Sequence, residues 1–254
     1  MSDVIIITGC SGKLGIKITK HFVDLGKIIV APLRSNASII KIKKIFRNDK
    51  NKNNIYFFEN NLLNKNASKV LIKKLKKLNL KPKYLINLAR DLKNLKLNTD
   101  GTVKTDFFLN EFNLQVVVPY NLSMALVKNY SYSMKCIINI GSIYGSVVPN
   151  LQLYKNFLKE SPIHYGVAKS ALVHLTKELA VRLAKKNIRV NCVAYGGVEG
   201  RVDNKFKEKY IKLCPSGRMI SDEEIIMPIE MLLSDKASGI NGHTLMVDGG
   251  WTLW

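Results

Sequence analysis

The chain has 254 residues, 46% of them hydrophobic and 23% charged, which suits one large α/β domain with a sizeable core. No run of eighteen apolar residues appears, so no transmembrane helix is expected, and Val4 to Ile7 enters an apolar strand without the basic flank of a signal peptide. Cys10, Cys136, Cys192 and Cys214 lie far apart with no metal-ligand or CxxC spacing, which fits a reduced, cytoplasmic protein and no metal site. The formal charge of +21 is uneven: residues 1–130 carry twenty-four Lys or Arg against eight Asp or Glu. In the stretch 65–83 the lysines alternate with Val70, Leu71, Leu75 and Leu78 at helical spacing, which makes them a solvated face. A basic surface raises non-specific affinity for polyanions. No nucleic-acid fold signature accompanies it, so no specific nucleic-acid partner is expected.

Taken in order, Asp3 to Thr8 is a short apolar strand, followed by a helical stripe of Leu14, Ile18, Phe22 and Leu25. Between them, TGCSGKLG spaces Gly9, Gly12 and Gly15 three apart, where glycines let the backbone turn tightly and a helix N-terminus receive a pyrophosphate. The second strand, Lys27 to Leu33, ends in APLRS. An acid there would accept ribose hydroxyls of NAD; Arg34 instead suits the 2′-phosphate of NADP, with Lys13 as a second cation, unless Arg34 is one more surface charge.

A helix over about Ser38 to Phe46 and a strand at Asn54 to Phe58 follow, leaving Asn60, Asn61 and Leu62 at a strand end where an amide could face an adenine ring. After the lysine-rich helix comes the strand Tyr84 to Leu88, running into Asn87-Leu88-Ala89-Arg90, and then a polar loop over 91–104. A long helix spans about Asp106 to Tyr130, bent at Pro119, with Asn113 inside it where asparagine is unfavourable without a task or a solvated position. Met134 to Ile140 is the next strand, and Ile188 to Ala194 another, ending in NCVAYGGVEG. Arg201 to Cys214 reads as a charged, mobile helical cover, Ser221 as the cap of a helix to Leu233, and His243 to Val247 as the last strand. Strands alternating with helices throughout argue a parallel sheet covered on both faces.

The stretch from Gly141 to Lys169 carries the chemistry. It holds the chain's one Tyr-x-x-x-Lys, Tyr165 and Lys169, which on a helix lie on one face about 5–6 Å apart at Cβ. An ammonium beside a phenol favours the phenolate. Bringing a tyrosine from about 10 to near neutrality takes about 4 kcal/mol, so a cationic cofactor would add to what one lysine supplies. Such a phenol gives or takes a proton at pH 7. Standing alone, the pair fits an exposed helical face equally well.

In their joint order, TGCSGKLG, INLAR, GSIYG, YGVAK, NCVAYGG and MVDGG make the chain resemble the short-chain dehydrogenase/reductase family over essentially its whole length. The resemblance implies one doubly wound Rossmann-type domain over 1–254, with a mostly parallel seven-stranded sheet and helices on both faces. It implies that Tyr165 is the general acid/base, that Lys169 holds the nicotinamide ribose and lowers the tyrosine pKa, and that Ser142 bonds the substrate oxygen. Asn113 matches the helix asparagine that seats a water in a proton relay. The implied cofactor contacts are Gly9, Ser11, Gly12, Lys13, Leu14, Gly15, Arg34, Asn61, Leu62, Asn87, Ala89, Gly196 and Val198, together with Tyr165 and Lys169. NADP is favoured over NAD, and a homodimer or homotetramer is implied through the helices around Asn113 and after Tyr165.

The chain departs from the family where Arg90 replaces a glycine, Asn61 an acid and Tyr195 a proline. The long insert VVPNLQLYKNFLKESPIHYG, with GGVEGRVDNKF and DGGWTLW, resembles flagellin-modification protein A-type dehydrogenases of bacteria. That implies a sugar or amino-sugar substrate in surface-glycan or flagellin modification. Tyr144, Gln152, Tyr154, His164 and Tyr195 are candidates to line a polar, sugar-sized pocket. The alternatives are a 3-oxoacyl-[acyl-carrier-protein] reductase and a non-catalytic NADP-binding regulator.

Overall fold

Residues 2–200 and 202–254 are described by the structure, a computed structural model. Seven strands form one sheet: β1 (Val4–Ile7), β2 (Ile28–Leu33), β3 (Ile55–Glu59), β4 (Pro82–Asn87), β5 (Cys136–Ser142), β6 (Arg189–Tyr195) and β7 (Thr244–Val247). Their spatial order is β3-β2-β1-β4-β5-β6-β7, and every neighbouring pair is parallel. This is the Rossmann-type α/β fold expected from the sequence. The chain winds outward from β1 in one direction, then returns to β4 and continues in the other. That reversal leaves a crevice beyond the carboxyl ends of β1 and β4.

Strand alternation explains the two layers of core. In β1, Ile5 and Ile7 point to one face and Val4 and Ile6 to the other, all buried. The first face is covered by α1 (Lys13–Asp24), α2 (Asn36–Ile45) and α9 (Ile226–Leu233), which contribute Ile18, Phe22, Ile42 and Ile229. The second is covered by α3 (Ala67–Lys77), α5 (Val118–Tyr130) and α7 (Ile163–Leu183), with Leu71, Leu75, Leu122, Leu126 and Leu179. Each such side chain stabilises the fold by about 1.5–3 kcal/mol relative to exposure.

Several elements differ from their sequence reading. The helix expected over Asp106 to Tyr130 is three pieces: α4 (Thr105–Phe112), a π-helical turn at Asn113–Val117, and α5. Proline explains the break. Pro119 has no N–H to give the carbonyl of Gln115, four residues earlier, and its ring crowds that carbonyl. The chain widens instead, and Val118 donates its N–H to Asn113 O, one residue further back than in an α-helix. Ser221 caps nothing, because α9 starts at Ile226; its N–H is bound by the Glu224 carboxylate at 2.8 Å. Leu25 closes α1 as an exposed C-cap residue rather than a core one. The 91–104 loop contains one 3-10 turn, Leu92–Leu95.

The insert before Tyr165 is ordered by aromatic packing. It forms a 3-10 turn at Leu151–Leu153 and the short α6 (Phe157–Glu160), and Tyr154 meets Phe157 and Phe206 edge-on. Phe206 lies on α8 (Asn204–Leu213), which Asp203 caps by accepting the Phe206 N–H at 2.9 Å. The cover was read from Arg201, which lies outside the described residues. Tyr210 of α8 stacks on Trp251 at 4.3 Å, so insert, α8 and C-terminal residues share one small core with Ile143, Leu153 and Met219. Among the described residues no helix is long and apolar enough to cross a membrane.

Candidate active site

At the end of β1 the backbone is pinned before it turns. Thr8 Oγ1 accepts the N–H groups of Leu88 and Ala89 at 3.0 and 3.2 Å, tying this turn to the end of β4. Gly9 has φ +72°, and a Cβ there would sit 2.7 Å from Ala89 Cα. A Cβ on Gly15 would lie 2.6 Å from Cys10 Cα, so both positions require glycine. Helix α1 opens at Gly12 without a side-chain cap, which leaves its first-turn N–H groups to an anion. This cradle fits the pyrophosphate of a dinucleotide.

The crevice beside the turn brings together Gly9, Ser11, Arg34, Asn61, Leu62 and Ala89, six of the residues implied by the sequence resemblance. Arg34 forms a salt bridge with Asp91 across its rim. Other implied contacts are placed differently. Lys13 is engaged elsewhere: its ammonium donates to Glu199 O at 2.5 Å and lies 3.3 Å from Asp222. The side chains of Leu14 and Val198 are in the core, so only their backbones are available to a ligand. Gly196 uses its N–H on Val247 O at 3.0 Å.

Below the crevice, Asn87 donates to Asn139 Oδ1 at 2.9 Å, and Asn139 donates to Thr176 Oγ1 at 2.9 Å. This buried chain ties β4 and β5 to the face of α7 that carries Lys169.

Lys169 is buried and donates to Gln115 Oε1 at 2.7 Å and to Ile140 O at 2.6 Å. Burial pulls its pKa below the usual lysine range, opposed by the nearby Tyr165 and Cys192. Two residues beyond Ile140 comes Ser142, the last residue of β5, buried and accepting the Tyr144 N–H at 3.3 Å. Tyr144 meets the half-buried Tyr165 ring edge-on at 6.4 Å. The Lys169 ammonium lies 5.8 Å from the Tyr165 ring centre and the Arg90 guanidinium 4.6 Å from it. The end of β5 and the start of α7 thus carry Ser142, Tyr165 and Lys169, and Arg90 of the crevice lining reaches the Tyr165 ring.

The amide at Lys169 belongs to Gln115; Asn113 is exposed in the π turn. Gln115 also donates to Ala89 O at 3.3 Å, linking the lysine to the crevice floor. Its sequence signal was a polar residue in the apolar run LQVVVP, four before a proline. His164 and Tyr195 do not line a pocket. Fully buried His164 bonds Asn94 O at 2.6 Å, and Tyr195 lies in the core with its hydroxyl on Ile225 O at 2.5 Å. Gln152 is exposed, while Tyr144 and Tyr154 remain as half-buried candidates.

Sequence reading also missed a buried polar cluster behind the tyrosine. Both Glu111 carboxylate oxygens, His164 Nδ1 and Asn94 Nδ2 are buried with no hydrogen-bond partner in the structure. Burial raises the Glu111 pKa, against the pull of Lys169, Arg90 and His164. A glutamate in the mixed helix start TDFFLNEF gave no sequence sign of this. Among the described residues no group of three His, Cys, Asp or Glu could hold a metal ion, and all four cysteines are free and buried.

Comparison with known proteins gives the class. Residues 93–252 match a family profile described as Enoyl-(Acyl carrier protein) reductase. The post-translational flagellin modification protein A of Campylobacter coli is 42% identical over 117 residues, 46% of either chain. A 3-oxoacyl-[acyl-carrier-protein] reductase of Chlamydia muridarum is 34% identical over 139 residues, 52% of this chain and 51% of that one. The chain therefore spans about half the length of these two relatives. A solved 4-hydroxyisoleucine dehydrogenase complexed with NADH superposes with a TM-score of 0.84 at 26% identity, covering both chains completely. The chain belongs to the short-chain dehydrogenase/reductase family, whose members are NAD(P)-dependent oxidoreductases.

Proposed function

We propose that this protein interconverts a secondary alcohol and a ketone on a sugar or amino-sugar substrate, with NADP as the preferred cofactor. The observation that carries this reading is the Tyr165 ring with the Lys169 ammonium and the Arg90 guanidinium of the crevice near its centre, and Ser142 at the end of β5. When bound, the nicotinamide would supply or accept a hydride at carbon. The residues of the chain serve the oxygen. Ser142 would orient it by hydrogen bonding, and Tyr165 would give or take its proton. Lys169, held by Gln115 and Ile140, would favour the phenolate. The uncapped start of α1 and the crevice residues Ser11, Arg34, Asn61 and Leu62 would hold the dinucleotide. Arg34 supports the NADP form, while Asp91 beside it leaves room for NAD as well.

The sugar reading rests on the similarity to flagellin modification protein A and on the aromatic insert beside Tyr144 and Tyr154. The same similarity supports a place in flagellin modification, and the four free, widely spaced cysteines support a reduced, cytoplasmic setting. The exposed apolar side chains of Val117, Tyr120, Val167 and Val181 on or beside α5 and α7 support a homodimer or homotetramer. The rival, reduction of 3-oxoacyl groups on acyl carrier protein, draws on the second relative. A panel of keto-sugars and 3-oxoacyl thioesters, assayed with NADPH and NADH, separates the two. Turnover of keto-sugars with NADPH supports the proposal, and efficient turnover of thioesters alone overturns the sugar assignment.

A further inference from the structure

We propose that Arg90 is a second, permanently charged cation acting on Tyr165, so that the phenol is tuned by two cations and not by Lys169 alone. This inference rests on the oxidoreductase reading in which Tyr165 handles the proton. Arg90 follows the end of β4, is exposed, and holds its guanidinium over the Tyr165 ring at 4.6 Å, closer to the ring centre than the Lys169 ammonium at 5.8 Å. The adjacent carboxylate, Asp91, is committed to Arg34 and does not neutralise it.

The charges around the phenol favour this role. From α7 come Lys169 and His164; from β5 and its following turn, Tyr144; from α4, Glu111; from β6, Cys192. Burial keeps the Tyr144 phenol up and raises the Cys192 thiol to about 11, so both are neutral near pH 7. It also raises Glu111 toward its neutral form. His164 uses Nε2 on Asn94 O, a neutral partner. Arg90 and Lys169 are the two cations that the geometry sets near the Tyr165 ring centre, at 4.6 and 5.8 Å. Lys169 is the weaker assurance of the two, because burial drives an ammonium toward the neutral amine. A guanidinium does not deprotonate at any working pH. A cation above an aromatic face is attracted to its π density, and more so once the ring carries the phenolate charge. Arg90 thus makes phenolate formation easier whatever the protonation state of Lys169.

The test is an ultraviolet difference titration of Tyr165 in free enzyme, with no cofactor or substrate. Wild type, Arg90→Met and Arg90→Lys are each compared with the same chain carrying Tyr165→Phe. The proposal expects Arg90→Met to raise the Tyr165 midpoint by about one pH unit, a tenfold change in ionisation constant, with Arg90→Lys recovering most of it. The pH–rate profile of the active enzyme should move by the same amount. A midpoint equal in wild type and Arg90→Met overturns the proposal, as does a change confined to cofactor affinity. Should Arg90→Met fail to fold, the comparison of Arg90→Lys with Arg90→Gln reads the same charge dependence. Because the titration needs no turnover, its failure is distinct from failure of the oxidoreductase reading, which inactivity of wild type toward every alcohol and ketone would show.

Discussion

At Glu111 a carboxylate lies buried near His164, with the Asn94 side chain facing it but no well-formed hydrogen bond to either oxygen. An unsatisfied buried polar group costs about 1–3 kcal/mol, more when charged. Its folded-state pKa is raised, so the folded protein binds more protons than the unfolded chain in the window above the usual glutamate value of 4.5. Stability from the neutral form is therefore complete below that value and is lost as pH rises through the folded one. Glu111→Gln should melt higher than wild type at pH 8, with the gap closing towards pH 4. A gap independent of pH, measured by thermal denaturation, would count against a buried, titrating acid. At Gly9 the reasoning is steric. Gly9→Ala places a Cβ 2.7 Å from Ala89 Cα on a residue with φ +72°, so it should cost about 1–3 kcal/mol in stability and weaken dinucleotide binding at least tenfold in a fluorescence titration.

Among the elements, the π turn at Asn113–Val117 decides which amide reaches Lys169. The sequence pattern announced a proline-bent helix, but a bend and a widened turn place different side chains on the inner face. Asn113 opens that turn and its carbonyl accepts the Val118 N–H, while Gln115 is the residue whose amide oxygen bonds Lys169. Gln115→Leu should leave the buried Lys169 ammonium with Ile140 O as its one remaining acceptor of the present two. We expect kcat to fall at least tenfold and the alkaline shift of the pH–rate profile to report a less well tuned phenol. An unchanged profile would show that Gln115 is merely structural. The strands were legible because periodic apolar runs and glycine turns are local signals: β1, β2 and β5 lie within a residue or two of their expected bounds. Glu111, Arg90 and the Arg34–Asp91 pair were not, because they depend on which loops meet across the crevice. Tyr195 was misplaced for a different reason: it is the last residue of β6 and faces the core, not the loop that follows.

For the molecule as a whole, the excess of +21 is spread over exposed lysines, many of them on α2 and α3. Retention on a polyanion column should therefore be released at modest salt and show no sequence preference, as screening of surface charge requires. Retention that survives high salt would indicate a dedicated nucleic-acid surface. The glycine turn follows β1 while Ser142, Tyr165 and Lys169 sit on β5 and α7, so cofactor binding and proton transfer should be separable by mutation. The most direct measurement pairs NADPH binding by calorimetry with turnover of the same samples of wild type and Tyr165→Phe. The account predicts dissociation constants within about threefold and turnover reduced by at least a hundredfold in the variant. Full activity without the Tyr165 hydroxyl, or no NADPH binding by either protein, would contradict it.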